Sequence, residues 1–254
     1  MMNRRQTKSS LHHTERNSGS IPDSLNRQIP WSRILVRSGF NTTKSADSFD
    51  FASETEENRK YFKNILRLSD AGGMFEGNLF YPLNPEINEQ IWLQTIECYH
   101  TGAEGGKPGF NSIELEIMDT FMAGFTRWIN YIGIGSYTSC DGHGVRTARF
   151  TAVEGDIEVL NRCLKLVSNT QIRLTAGRLH LPGSSGYTIK NIRLILLDLA
   201  EALYARQDEL TEYVKSDREL MKQFRSNTPG RYQLQPEMDD QNPEYLVHPF
   251  SESS

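Results

Sequence analysis

The sequence predicts an α+β fold: a small antiparallel sheet of two β-hairpins packed against several helices, with disordered tails at both ends. Three observations carry this expectation. Apolar residues recur at helical spacing through the first half of the chain. The period then switches to alternation near Ile134, and alternation returns near Gln171. Both alternating stretches are interrupted by turn residues, as hairpins are.

The elements follow in order. Residues 1–28 are polar, rich in Ser, Asn and Arg and without hydrophobic period, which predicts a disordered basic tail. Ile29 to Val36 is the first segment able to bury anything, and Asn41 to Ser53 is polar again. A helix is expected from Ser53, with Glu56 completing a capping box and Tyr61, Phe62, Ile65, Leu66 and Leu68 forming its buried stripe. A second follows Pro85, with Ile87, Ile91, Trp92, Thr95 and Ile96 on one face. A third opens at Asn111 and runs through Ile113, Ile117, Phe121, Phe125, Trp128 and Ile132.

Ile134–Ser139 and Arg146–Ala152 then read as two strands, and Gly155–Ser168 as a helix. Gln171–Thr175 and Arg178–Leu181 form the second hairpin around Ala176-Gly177. A last helix spans Thr188 to about Phe224, apolar in its first half and highly charged in its second. Residues 29–225 are therefore expected to form one domain, helical first and β-β-α-β-β-α after. Residues 226–254 form an acidic tail punctuated by prolines.

At 254 residues the chain can bury a core that needs no staples. Its low hydrophobic fraction, 37%, comes from the two ends. Three widely spaced cysteines without a Cys-x-x-Cys pair argue against a disulfide framework and for a reducing, cytoplasmic setting. No run is long and apolar enough for a membrane span, so no membrane partner is expected. The net charge of -4 argues against polyanion binding by bulk charge. The charge is nonetheless uneven: five cations against two anions in residues 1–28, one against five in 226–254.

The one chemically loaded segment is Ser139-Cys140-Asp141-Gly142-His143-Gly144. A thiol, a carboxylate and an imidazole stand within four residues, and the glycines allow positive φ or close approach to a ligand. Two chemistries fit. Cys140 can be a nucleophile whose pKa His143 lowers, with Asp141 orienting the imidazole. Alternatively, His143 and His180, from the second hairpin, can ligate a divalent metal such as zinc. A plain turn is the competing reading, since Asp-Gly is hairpin chemistry and cysteine often packs as a small hydrophobe.

Strand alternation adds a second feature. Ala148, Phe150, Ile172, Leu174, Leu179 and Leu181 are expected to face inward. Arg149, Arg173, Arg178 and His180 then face outward, with Arg146 at the start of its strand. If the hairpins share one sheet, its open face suits a phosphate or carboxylate. Gly102–Gly109 fails as a P-loop, because no apolar strand precedes it and no Ser or Thr follows Lys107.

Two function classes follow. The first is a small hydrolase or transferase acting on a nucleotide or nucleic-acid end, with Cys140, Asp141 and His143 as its centre and Arg146, Arg149, Arg173, Arg178 and His180 binding substrate. The second is a non-enzymatic ligand-binding or assembly subunit that docks a protein partner through residues 206–254. A sequence-specific DNA binder is disfavoured by the acidic balance and the lack of a helix-turn-helix.

Overall fold

A computed structural model describes residues 21–69, 72–99, 113–144, 148–153, 155–168, 172–175, 178–180 and 189–227. The two tails beyond 21 and 227, Arg146, and the glycine-rich loops 102–109 and 183–186 lie outside the described residues, as does the His180 side chain. The chain divides into two units, Met1–Val214 and Lys215–Ser254. The class is α+β.

In the first unit, β1 (Gln28–Pro30) leads directly into α1 (Trp31–Arg37). Ile21 and Leu25 are already buried, so the core begins earlier than the polar composition of residues 1–28 implies. Two very short strands, β2 (Thr43–Lys44) and β3 (Phe49–Asp50), occupy the stretch that reads as polar. Phe49 and Phe51 are buried there and offset the polarity around them. Helix α2 (Glu56–Leu68) is capped by Thr55, whose hydroxyl accepts from Asn58 N–H at 3.2 Å. Ser53, the expected cap, instead donates to the Asn41 carbonyl. Leu68 is exposed because the helix ends as it clears the core.

Strands β4 (Phe75–Glu76) and β5 (Leu79–Phe80) complete a four-stranded sheet of order β2-β3-β5-β4. Its aromatics pack with those of α1 and α2; Phe51 stacks on Phe62 at 4.5 Å between centroids. The helix expected directly after Pro85 starts later. Glu86–Asn88 is β6, paired antiparallel with β1. Asn88 Oδ1 then accepts from Ile91 N–H at 3.1 Å and opens α3 (Glu89–Tyr99). That register buries Trp92, Leu93 and Ile96 and exposes Ile91.

The long third helix is two pieces. A 3-10 turn over Leu115–Ile117 precedes α4 (Thr120–Tyr131), and the helical path breaks at Met118-Asp119. Beyond α4, β7 (Ser136–Cys140) and β8 (Arg149–Ala152) form the first hairpin, and α5 (Asp156–Val167) follows. Strands β9 (Arg173–Thr175) and β10 (Arg178–His180) form the second. The two hairpins share one sheet, of order β7-β8-β10-β9. Its inner face buries Phe150, Ala152, Leu174 and Leu179. Phe125 of α4 meets Phe150 edge-on at 5.4 Å, and Asn161 of α5 clips β9 through both backbone groups of Leu174.

The last helix also divides, at Arg206, into α6 (Ile189–Ala205) and α7 (Gln207–Asn227). Helices α1, α4 and α6 pack on one another; Trp128 donates to the Val36 carbonyl at 2.8 Å and its ring meets Tyr204. In the second unit, the described residues continue α7, where Leu220 and Met221 are exposed and Lys222 pairs with Glu219.

Candidate metal centre

Cys140 is the last residue of β7, and the chain turns sharply behind it. Gly142 (φ 78°) and His143 (φ 51°) both take left-handed backbone conformations. Histidine tolerates this region better than most residues, at a cost on the order of 1 kcal/mol. The turn is held by Asp141, whose Oδ1 accepts from His143 N–H at 2.6 Å, and by Gly142 N–H donating to Cys140 Sγ at 3.3 Å. It folds the imidazole back so that His143 Nε2 stands 3.5 Å from Cys140 Sγ.

The fourth member comes from the helical layer. Asp119 stands at the break before α4, and its Oδ2 accepts from Asp141 N–H at 3.0 Å and lies 3.9 Å from His143 Nε2. One ligand atom from each of Asp119, Cys140, Asp141 and His143 falls within 4.8 Å of the other three. Zinc bound at ordinary distances sets its donors about 3.3–3.8 Å apart, so little movement closes this set around an ion. The donor chemistry fits as well: a thiol, an imidazole and carboxylates match a borderline cation.

The environment is acidic. Burial first, then Asp119, pushes the Cys140 thiol up, against the lowering by Gly142 N–H. This is the reverse of what a free thiolate nucleophile needs; a cation held in the cluster would offset it by deprotonating the thiol. Burial likewise raises Asp141, while the Arg193 guanidinium and His143 N–H pull it down. Glu97 of α3 is raised to about 7 by burial first, with Arg193 opposing and Asp141 and Asp119 adding. Arg193 of α6, almost fully buried, bridges Asp141 Oδ2 at 3.0 Å and Glu97 Oε1 at 3.6 Å.

Glu97 yields a pH prediction. Its folded pKa lies above its unfolded value, so the native state holds a proton that the unfolded state releases. The associated stability is complete below about pH 4.5 and is lost as pH rises through about 7. With metal chelated, the wild type is expected to lose on the order of 2 kcal/mol from this group across that window, after discounting for solvent access. Glu97→Gln removes that part of the slope. Urea unfolding at pH 5 and pH 8 measures it, and equal slopes in both proteins would refute it.

The sheet contributes the second feature. Cys140 pairs with Arg149, Arg149 with Arg178 and Arg178 with Thr175, forming one row across all four strands. Arg173 pairs with His180 in the next row. Arg149, Arg173 and Arg178 are exposed, as alternation predicts, and among the described residues no carboxylate lies within ion-pair distance of them. The backbone of His180 sits two strands from β7, about 10 Å across the sheet.

Of this cluster and its neighbours, the sequence singled out Cys140, Asp141 and His143 and not Asp119, Arg193 or Glu97. Arg193 had a legible signal, a lone charge inside the apolar run Ile192 to Leu197. Asp119 and Glu97 had none in spacing alone. No protein-family model, curated protein or solved structure matches this chain.

Proposed function

We propose that this chain is a metal-dependent hydrolase or transferase acting on a phosphate-bearing substrate. The observation that carries the reading is the convergence of Asp119, Cys140, Asp141 and His143 within 4.8 Å. Asp119 Oδ2, Cys140 Sγ and His143 Nε2 are the ligands. Asp141 Oδ1 lies 3.6 Å from His143 Nδ1 and orients the imidazole from behind. Three protein ligands leave a fourth position for water or substrate, the arrangement of catalytic rather than structural zinc sites. A bound zinc ion supplies Lewis acidity and lowers the pKa of water.

The Arg149–Arg178 pair supports the substrate class. Like charges directly opposite on neighbouring strands are destabilising, and an anion between them relieves the repulsion. The thiol ligand calls for a reducing compartment, so a cytoplasmic setting belongs to the same proposal. Among the described residues, no helix is long and apolar enough to cross a membrane. A second reading, docking of a protein partner on α7, draws on the exposed Leu220 and Met221.

Elemental analysis of the purified full chain is expected to give close to one zinc per chain. Asp119→Asn and Cys140→Ala each weaken zinc binding by more than about 100-fold. Both abolish hydrolysis of aryl phosphomonoesters and diesters, while Arg178→Thr raises KM and leaves the zinc content intact. A wild-type protein without metal, or ligand variants that bind zinc as the wild type does, would sink the proposal.

A further inference from the structure

We infer that Arg193 is the positioning residue of the metal centre: it locks Asp141, and through Asp141 the His143 imidazole, in the orientation that ligation requires. The inference rests on the metal reading given above and adds a residue outside its ligand set.

Arg193 is 2% exposed and stands on an otherwise apolar stretch of α6. An apolar residue packs there without the desolvation cost that a buried guanidinium carries. What the charge obtains is contact with three separate elements. Nη2 holds Asp141 Oδ2 in the turn after β7, Nη1 faces Glu97 on α3, and the guanidinium lies 4.5 Å over the Phe121 ring on α4. A planar fork bridges two carboxylates and stacks on a ring at once; an ammonium cannot.

The consequence reaches the imidazole. With Oδ2 on Arg193 and Oδ1 accepting from His143 N–H, the Asp141 carboxylate cannot rotate without losing one partner. Its Oδ1 therefore stays beside His143 Nδ1 and favours the tautomer with the proton there. That leaves the Nε2 lone pair directed toward Cys140 Sγ and Asp119 Oδ2.

The test is zinc affinity of the full chain by competition with a chromophoric chelator, together with cobalt(II) spectra. Arg193→Met is expected to weaken zinc binding about 10–100-fold and to shift the cobalt ligand-field bands. Arg193→Lys restores charge without the fork and falls between, about 3–10-fold. A purely structural role lowers the melting temperature but leaves the affinity of the folded protein and the cobalt bands unmoved. Arg193→Met binding zinc within about twofold of wild type would overturn the inference while the metal reading survived. Should Arg193→Met fail to fold, Arg193→Lys decides: wild-type affinity and an unchanged cobalt spectrum overturn it equally. A wild type that binds no zinc removes the metal reading itself, and this inference with it.

Discussion

Arg37→Met is expected to destabilise the protein by about 3–5 kcal/mol, the largest single effect among its ion pairs. Arg37 is 1% exposed and meets three carboxylates: Glu89 at 2.6 Å, Glu201 at 3.1 Å and Asp198. Glu89 is equally buried, and its other partner, Arg27, stands at 3.5 Å with its own side chain half in solvent. Glu201 keeps Arg33 at 2.7 Å and Asp198 is largely exposed, so both tolerate the loss. The cost therefore falls on Glu89, left charged in the core. Arg37→Met with Glu89→Leu should recover most of it, because the expense is the orphaned carboxylate and not the missing attraction. Guanidinium unfolding of the single and double variants measures both. A single-variant loss below about 1 kcal/mol would mean that the network behaves like a surface pair.

This network also explains what was legible in the sequence and what was not. Features set by local period were readable. Phe121, Phe125 and Trp128 gave α4 its face, and Phe150, Leu174 and Leu179 gave the sheet its inner side. The outward arginines followed by alternation alone. Features set by tertiary contact were not readable. The apolar spacing from Ile113 to Ile132 runs straight through Asp119, so the break that frees its carboxylate for the site is invisible to period. Strands of two residues, such as β2 to β5, are too short to show alternation. In α3, Ile91 and Leu93 stand on nearly opposite faces of the helix, and it is the face of Leu93, Trp92 and Ile96 that the core covers.

The candidate site divides along the same line. Cys140, Asp141 and His143 were visible because one turn delivers all three. Asp119, Glu97 and Arg193 reach the site from three different helices, α4, α3 and α6, and their convergence depends on how those helices pack. By the same dependence, the positioning of the site is expected to respond to residues far from the loop.

Gly124→Ala is the sharpest case of that dependence and is expected to cost about 1–3 kcal/mol and to weaken zinc binding although it touches no ligand. A Cβ at Gly124 would lie 2.2 Å from the Arg37 carbonyl oxygen, 2.8 Å from its carbon and 3.0 Å from Ala200 Cβ. The first two are backbone atoms of α1, whose Arg37 side chain is itself tied to three carboxylates, so α1 cannot simply yield. Helix propensity favours alanine by roughly 1 kcal/mol, and the clash must exceed this for the variant to lose stability. Because the offending contacts are backbone, α4 has to move away from α1 and α6. Asp119 stands five residues before Gly124 on one side of that contact, and Arg193 seven before Ala200 on the other. Separating the helices therefore draws the Asp119 ligand and the Arg193 anchor apart. Thermal melting and chelator competition on Gly124→Ala should show both losses together. Gly73→Ala, where nothing lies within 4 Å of the added carbon, should show neither. Lost stability with unchanged affinity would mean that the helix spacing is not what holds the ligands in place.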